Sequence, residues 1–192
     1  STVNTAYSAR KVMQLKEKER IAREVAANIP DGSSLFIDIG TTTEAIARAL
    51  LDHRELRVVT NNLNVASILT AKDDFTVIIA GGEIRNRDGG IVGEATRDFI
   101  GQFRMDYGVI GISGIDNDGS LLDFDYHEVK IAQAIIAHSR QVFLAADHTK
   151  FGRNAMVNLG NLNQIHALFT DQEPPEKLMR LMSQHQIACH IC

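Results

Sequence analysis

The stretch Asp38-Ile39-Gly40-Thr41-Thr42-Thr43-Glu44 gathers residue types that bind oxyanions. An apolar run, Leu35-Phe36-Ile37, leads into it, and an alanine-rich helical pattern, Ala45-Ile46-Ala47-Arg48-Ala49-Leu50, leads out. That order predicts a buried strand, a tight turn and a helix whose first amides have no backbone partners. Free N–H groups and the positive end of the helix dipole then coincide, and an anion is stabilised there. Three threonine hydroxyls add donors for phosphate oxygens. A nucleotide P-loop is excluded, because the turn has no Gly-Lys-Ser/Thr ending. The same residues also suit an ordinary threonine N-cap, and this stretch alone leaves both readings open.

Polar turns of the same kind recur. Thr60-Asn61-Asn62 follows the apolar run 56–59, Gly81-Gly82 follows 76–80, Ser113-Gly114-Ile115-Asp116 follows 107–112, and Asp147-His148-Thr149-Lys150 follows 141–146. A further run at 167–169 ends in Thr170-Asp171, before a helix expected over about 173–183. Near-continuous apolar strands alternating with helices predict an α/β fold: a mostly parallel sheet with helices on both faces. In five successive strands the polar cluster sits at the carboxyl end, the edge where open parallel sheets bind ligands. Loops need turn residues in any case, so the recurrence, not any single loop, points to a site for a small polyhydroxylated, phosphorylated molecule.

The elements that must position these loops fit one domain. Residues 1–15 show little pattern and read as a linker or arm, and 16–192 read as a single large α/β domain. A helical stripe of Ile21, Val25 and Ile29 runs through 16–29, and the mixed-charge run Lys16-Glu17-Lys18-Glu19-Arg20 reads as its solvated face. A net charge of −4 argues against this chain gripping nucleic acid through its overall field. No apolar run is long enough to cross a membrane, and no export-type start is present, so the chain reads as cytoplasmic. Cys189-His190-Ile191-Cys192 has neither the ligand set for zinc nor a helix start behind it for redox work, and reads as an edge strand. The scattered His53, His138, His148 and His166 show no metal spacing, and no cofactor is called for. Between Gly82 and Ile100 lies a long, glycine-rich stretch with a basic middle, whose Arg85 and Arg87 would either close over a phosphate or remain solvated.

The motifs Asp38–Thr43, Thr60-Asn61-Asn62, Ala80-Gly81-Gly82-Glu83, Ile112–Asp116 and Ala146-Asp147-His148-Thr149-Lys150-Phe151-Gly152-Arg153 occur in that order. Together they closely resemble the effector-binding domain of DeoR-family bacterial transcriptional repressors, over essentially the whole chain. Phe124-Asp125-Tyr126-His127-Glu128-Val129 and 151–158 narrow the resemblance to members that respond to glycerol 3-phosphate. The resemblance implies a fold similar to ribose-5-phosphate isomerases and coenzyme A transferases. It also implies a sugar- or polyol-phosphate effector, a homo-oligomer (tetrameric in the family), and operator DNA bound only through an amino-terminal winged helix-turn-helix that this sequence lacks. Two departures matter. The isomerases' paired acids become Ser113-Gly114-Ile115-Asp116, with one acid gone, which favours a sensor over an enzyme, since proton abstraction needs a positioned base and an oxyanion stabiliser. After Glu128, many repressors carry Lys-Arg where this chain has Ala132-Gln133.

The expected effector site therefore comprises Asp38, Gly40, Thr41, Thr42, Thr43, Asn61, Gly81, Gly82, Ser113, Asp116, Glu128 and Lys150, with no catalytic residue and no metal. In it Gly40–Thr43 hold the phosphate, Lys150 supplies charge from another strand, and Ser113, Asp116 and Glu128 meet hydroxyls. An active isomerase using Asp116, Glu128 and Lys150, and an assembly module without a small ligand, are the competing readings.

Overall fold

The computed structural model describes residues 6–192. Seven parallel strands form the central sheet: β1 (Ser34–Ile37), β2 (Arg57–Thr60), β3 (Thr76–Ile79), β6 (Met105–Ile110), β9 (Ser139–Ala145), β11 (Ala167–Thr170) and β12 (Ala188–Ile191). Their order across the sheet is β12-β11-β9-β6-β1-β2-β3. Chain order runs outward in one direction from β1 to β3 and in the other from β6 to β12. The switch point lies between β1 and β6, whose pairing sets Phe36 beside Gly108. Loops leaving two such strands diverge and open a crevice at their carboxyl ends.

Alternation along β1 divides the core. Phe36 packs on one face with Ile110, Val129, Ile131 and Leu168. Leu35 and Ile37 pack on the other with Ile21, Val25, Ile46 and Phe169. Helices α2 (Leu15–Ala27) and α3 (Thr41–Ala49) cover that second face, because the stripe Ile21, Ala22, Val25 and Ala26 is buried against Ala45 and Ile46. Helix α6 (Tyr126–Ala137) covers the first, burying Val129, Ile131, Ala132 and Ile135. A short helix, α1 (Tyr7–Val12), precedes α2, and α4 (Leu63–Leu69) follows β2. The terminal Cys-x-x-Cys segment lies on β12, at the sheet's edge, with both cysteines free.

Two regions are more structured than the sequence suggests. The long glycine-rich stretch folds as a small hairpin, β4 (Glu83–Ile84) with β5 (Ile91–Val92), followed by α5 (Glu94–Ile100). A second, three-stranded sheet joins β7 (Gly114–Ile115), β8 (Ser120–Asp123) and β10 (Val157–Asn161) in antiparallel register. These strands are too short for a period-2 pattern to emerge. The β8–β10 pairing joins residues far apart in the chain, such as Leu121 opposite Gly160.

Candidate functional site

At the β1/β6 switch point lies a chamber of about 60 Å³, walled by the β1–α3 turn, Gly111–Ser113 after β6, and side chains from α1, α6 and the β9 loop. Its geometry begins with Gly40, whose φ of 142° is available to glycine and strained for other residues. This turn starts α3 with no side chain capping its first amides, although Thr41, Thr42, Thr43 and Glu44 are all buried. The ordinary N-cap reading therefore does not hold, and the first turn of α3 faces the chamber with open donors.

Cations gather at this end. Lys18 of α2 is only 4% exposed and donates to Thr41 Oγ1 at 2.8 Å. Burial, and then the charge of Lys150, lowers its ammonium pKa to about 8. Lys150 lines the chamber and stands 4.0 Å from the buried Asp147, at the far limit of an ion pair. Its own pKa is lowered by burial, partly offset by Asp147. The Lys150 turn is held from β11: His148 N and Nδ1 both lie 2.7 Å from Asp171.

Carboxyl groups line the same chamber. Asp38 accepts from the Ile39 amide at 2.8 Å, and its burial pushes its pKa up to about 7. Asp123, at the end of β8, accepts from Ser113 Oγ at 2.8 Å and is also raised by burial. Glu128, in the first turn of α6, is raised to about 7 by burial and by the charge of Asp123, even though Arg85 donates to it at 2.5 Å. Arg85 further bonds Asp88 at 2.5 Å and Asp125 at 2.8 Å. Although burial pushes the other way, that guanidinium and the Gly90 amide hold Asp88 below the usual carboxylate range. The chamber thus combines amides, hydroxyls and the Lys150 ammonium with carboxyl acceptors, two of which are raised toward neutrality.

Of the twelve expected site residues, the structure brings eight to the chamber wall: Asp38, Gly40, Thr41, Thr42, Thr43, Ser113, Glu128 and Lys150. The other four lie elsewhere. Asn61 is buried, its Nδ2 lying 3.5 Å from the Ile91 carbonyl, and it acts on the chamber only by lowering the Asp38 pKa. Gly81 uses its carbonyl to accept from Thr96 at 2.7 Å. Gly82 has a φ of 151°, and a Cβ there would collide with the Thr96 hydroxyl, so its role is close packing against α5. Asp116 is exposed and closes its own turn by accepting from Asn117 N at 2.8 Å. Neither arginine of the hairpin lines the chamber: Arg85 is spent on three carboxylates and Arg87 is mostly exposed.

Sequence reasoning missed Tyr7, Arg10, Asp88 and Asp123 in the wall, and Lys18 at the head of α3. The charged run 16–20 is not wholly a solvated face, since Lys18 is buried. Lys18 sits three residues before Ile21 and seven before Val25, on the inward stripe. That spacing was the available signal. Ala132, where the family resemblance led to the expectation of a basic residue, lines the chamber.

A family model described as the DeoR C terminal sensor domain matches residues 13–172. The chain belongs to the DeoR family. Among curated proteins, the DeoR-family chain is 61% identical to the glycerol-3-phosphate regulon repressor of Escherichia coli K12, across 100% of this chain and 76% of that protein. It is 52% identical to the repressor of the same name from Haemophilus influenzae, across 100% of this chain and 74% of that one. Members of the family are transcriptional repressors rather than enzymes, and this chain is an effector-sensing domain of that type.

Solved structures share the fold at low identity. The beta subunit of eIF2B from Chaetomium thermophilum superposes with a TM-score of 0.61 at 16% identity, over 91% of this chain and 57% of that one. Ribose 5-phosphate isomerase A from Methanocaldococcus jannaschii gives 0.51 at 10% identity, over 72% and 55%. The expected likeness to the isomerase and coenzyme A transferase type of fold is found. Among the described residues, no helix is long and apolar enough to cross a membrane, and no cluster of His, Cys, Asp or Glu has the form of a metal site.

Proposed function

We propose that the chamber binds a small phosphorylated polyol, glycerol 3-phosphate, as the inducer of a repressor. The observation that carries this reading is that an open helix start, a lysine and carboxyl groups line one chamber. The open first turn of α3, with Lys18 and Lys150, suits the phosphate. Asp38, Asp123 and Glu128 suit hydroxyl groups, which donate to carboxylate oxygens. The names of the relatives at 61% and 52% identity support the same ligand. In this reading residues 1–15 link to a winged helix-turn-helix that contacts the operator and also complete the chamber wall through Tyr7 and Arg10, 16–192 sense and assemble, the assembly is a homotetramer, and the protein works in the cytoplasm.

Induction requires the ligand to bind the DNA-free state more tightly than the DNA-bound state. Calorimetric titration with glycerol 3-phosphate, glycerol and ribose 5-phosphate tests the assignment. Saturable heat is expected with glycerol 3-phosphate and little with glycerol. Heat with neither phosphorylated compound would remove the chamber as an effector site.

A further inference from the structure

The chamber is tight, at about 60 Å³, against roughly 300 Å³ and upward for pockets that take drug-sized ligands. Immediately outside it lies a second cavity of about 360 Å³, lined by Arg10, Met13, Lys18, Asp147, Lys150 and Phe151 among others. Arg10 and Lys150 border both spaces. Helix α1 carries Arg10 and is the partition between them.

That partition is lightly built. Helix α1 has six residues, none of them buried, and its last residue, Val12, and the following Met13 are 70% and 46% exposed. A helix so short is not stable alone, and no apolar anchor replaces that stability. Polar contacts hold it instead. Tyr7 OH donates to Glu44 Oε1 at 2.6 Å, and Asn64 Nδ2 lies 3.1 Å from the Tyr7 oxygen. Lys18 Nζ donates to the Arg10 carbonyl at 2.6 Å. Arg10 Nε is buried without a hydrogen-bond partner among the described residues, so the closed arrangement is incompletely satisfied.

The Lys18 contact is the informative one. The same ammonium bonds Thr41 Oγ1 at the head of α3, where the phosphate is expected. A phosphate oxygen is a stronger acceptor for an ammonium than a neutral peptide carbonyl. We infer that α1 is a strap that competes with the effector: it fastens across the chamber through Tyr7, Glu44 and Lys18, and a phosphorylated ligand releases it by taking Lys18 from the Arg10 carbonyl. The inference rests on the ligand reading above. Its consequence is directional. A sensor domain at the C-terminal end of its family's proteins meets the preceding part of the chain through this segment, so releasing the strap changes the tether of whatever precedes it. By linkage, whatever fastens the strap weakens the effector by the same factor.

Trypsin cleavage after Arg10 and Lys11 reads the strap directly, alongside calorimetric affinity, in the wild-type chain and in Tyr7→Phe, which removes only the latch hydroxyl. Saturating glycerol 3-phosphate is expected to speed cleavage about fivefold or more, and Tyr7→Phe to cleave faster without ligand and bind it about fivefold tighter. Binding with unchanged or slower cleavage, or a Tyr7→Phe variant that binds no tighter, overturns the strap and leaves the effector reading standing. Ribose 5-phosphate binding and releasing the arm where glycerol 3-phosphate does not keeps the strap and overturns the choice of effector. Binding by Tyr7→Phe alone supports a chamber latched shut. No binding by either protein removes both.

Discussion

Two strand-to-helix turns stand side by side at the same sheet edge and do opposite things. After β1, Gly40 opens α3 with no side-chain cap, and its donors face a chamber. After β2, Asn62 closes α4 by accepting from the amides of Asn64 at 2.9 Å and Val65 at 3.4 Å. The second turn also consumes its own threonine: Thr60 Oγ1 donates to the Ile37 carbonyl at 2.6 Å and accepts from Asn62 N at 3.2 Å. Both turns read as polar loops after an apolar strand. What separates them is whether a local side chain satisfies the helix start. A satisfied helix start contributes to stability, and an open one is free to bind.

The sharpest test of that contrast is Lys150→Ala beside the open turn. Loss of a charge-assisted bond to phosphate is expected to weaken glycerol 3-phosphate about 10- to 100-fold, with the thermal midpoint nearly unchanged. Unaltered affinity in the titration would take Lys150 out of the site. The closed turn should behave in reverse. Asn62→Ala is expected to cost about 1 kcal/mol of stability in urea unfolding, with a much smaller change in affinity. An affinity loss as large as that of Lys150→Ala would erase the distinction.

Acidity offers a third handle. Asp38 and Glu128 keep protons in the folded chain up to about pH 7, while ordinary carboxyl groups release theirs near 3.8 and 4.5. Between those limits the folded state binds more protons than the unfolded one. Stability from these groups is therefore complete below the lower values and is lost as pH rises toward 7. Thermal midpoints of the ligand-free chain should show this downward contribution, and Asp38→Asn should flatten it. An identical slope in the variant would mean that Asp38 is already ionised. The smallest effect is expected at Arg87, which is mostly exposed and 3.5 Å from Asp125. Arg87→Ala should change stability by less than about 0.5 kcal/mol and leave ligand affinity unchanged, and a large affinity loss would restore Arg87 as a lid.

Much of the chamber was legible because parallel strands deliver their turns to one edge. Asp38, Gly40–Thr43, Ser113 and Lys150 each follow an apolar run, and the sheet brings them together. The errors share a cause. Gly82 and Asp116 are polar-turn residues of the same appearance, but Gly82 lies under α5 and Asp116 closes a surface turn. Arg85 looked free on a loop and is instead bound among Asp88, Asp125 and Glu128. Tyr7 and Arg10 carried no periodic signal, since α1 buries no stripe.

By itself, then, the sequence determined the layered α/β architecture and the edge that carries the site, because both depend on local pattern: apolar period, helix starts and turn chemistry. It also carried the family, through motifs spread along the chain. Only the tertiary structure decided which polar turns open onto a shared space, that the inward-facing Lys18 meets the head of α3, and that Asp123 joins Asp38 and Glu128 in the chamber wall. Those facts depend on the strand order at the β1/β6 switch point and on burial by elements distant in the chain, and no local spacing encodes either.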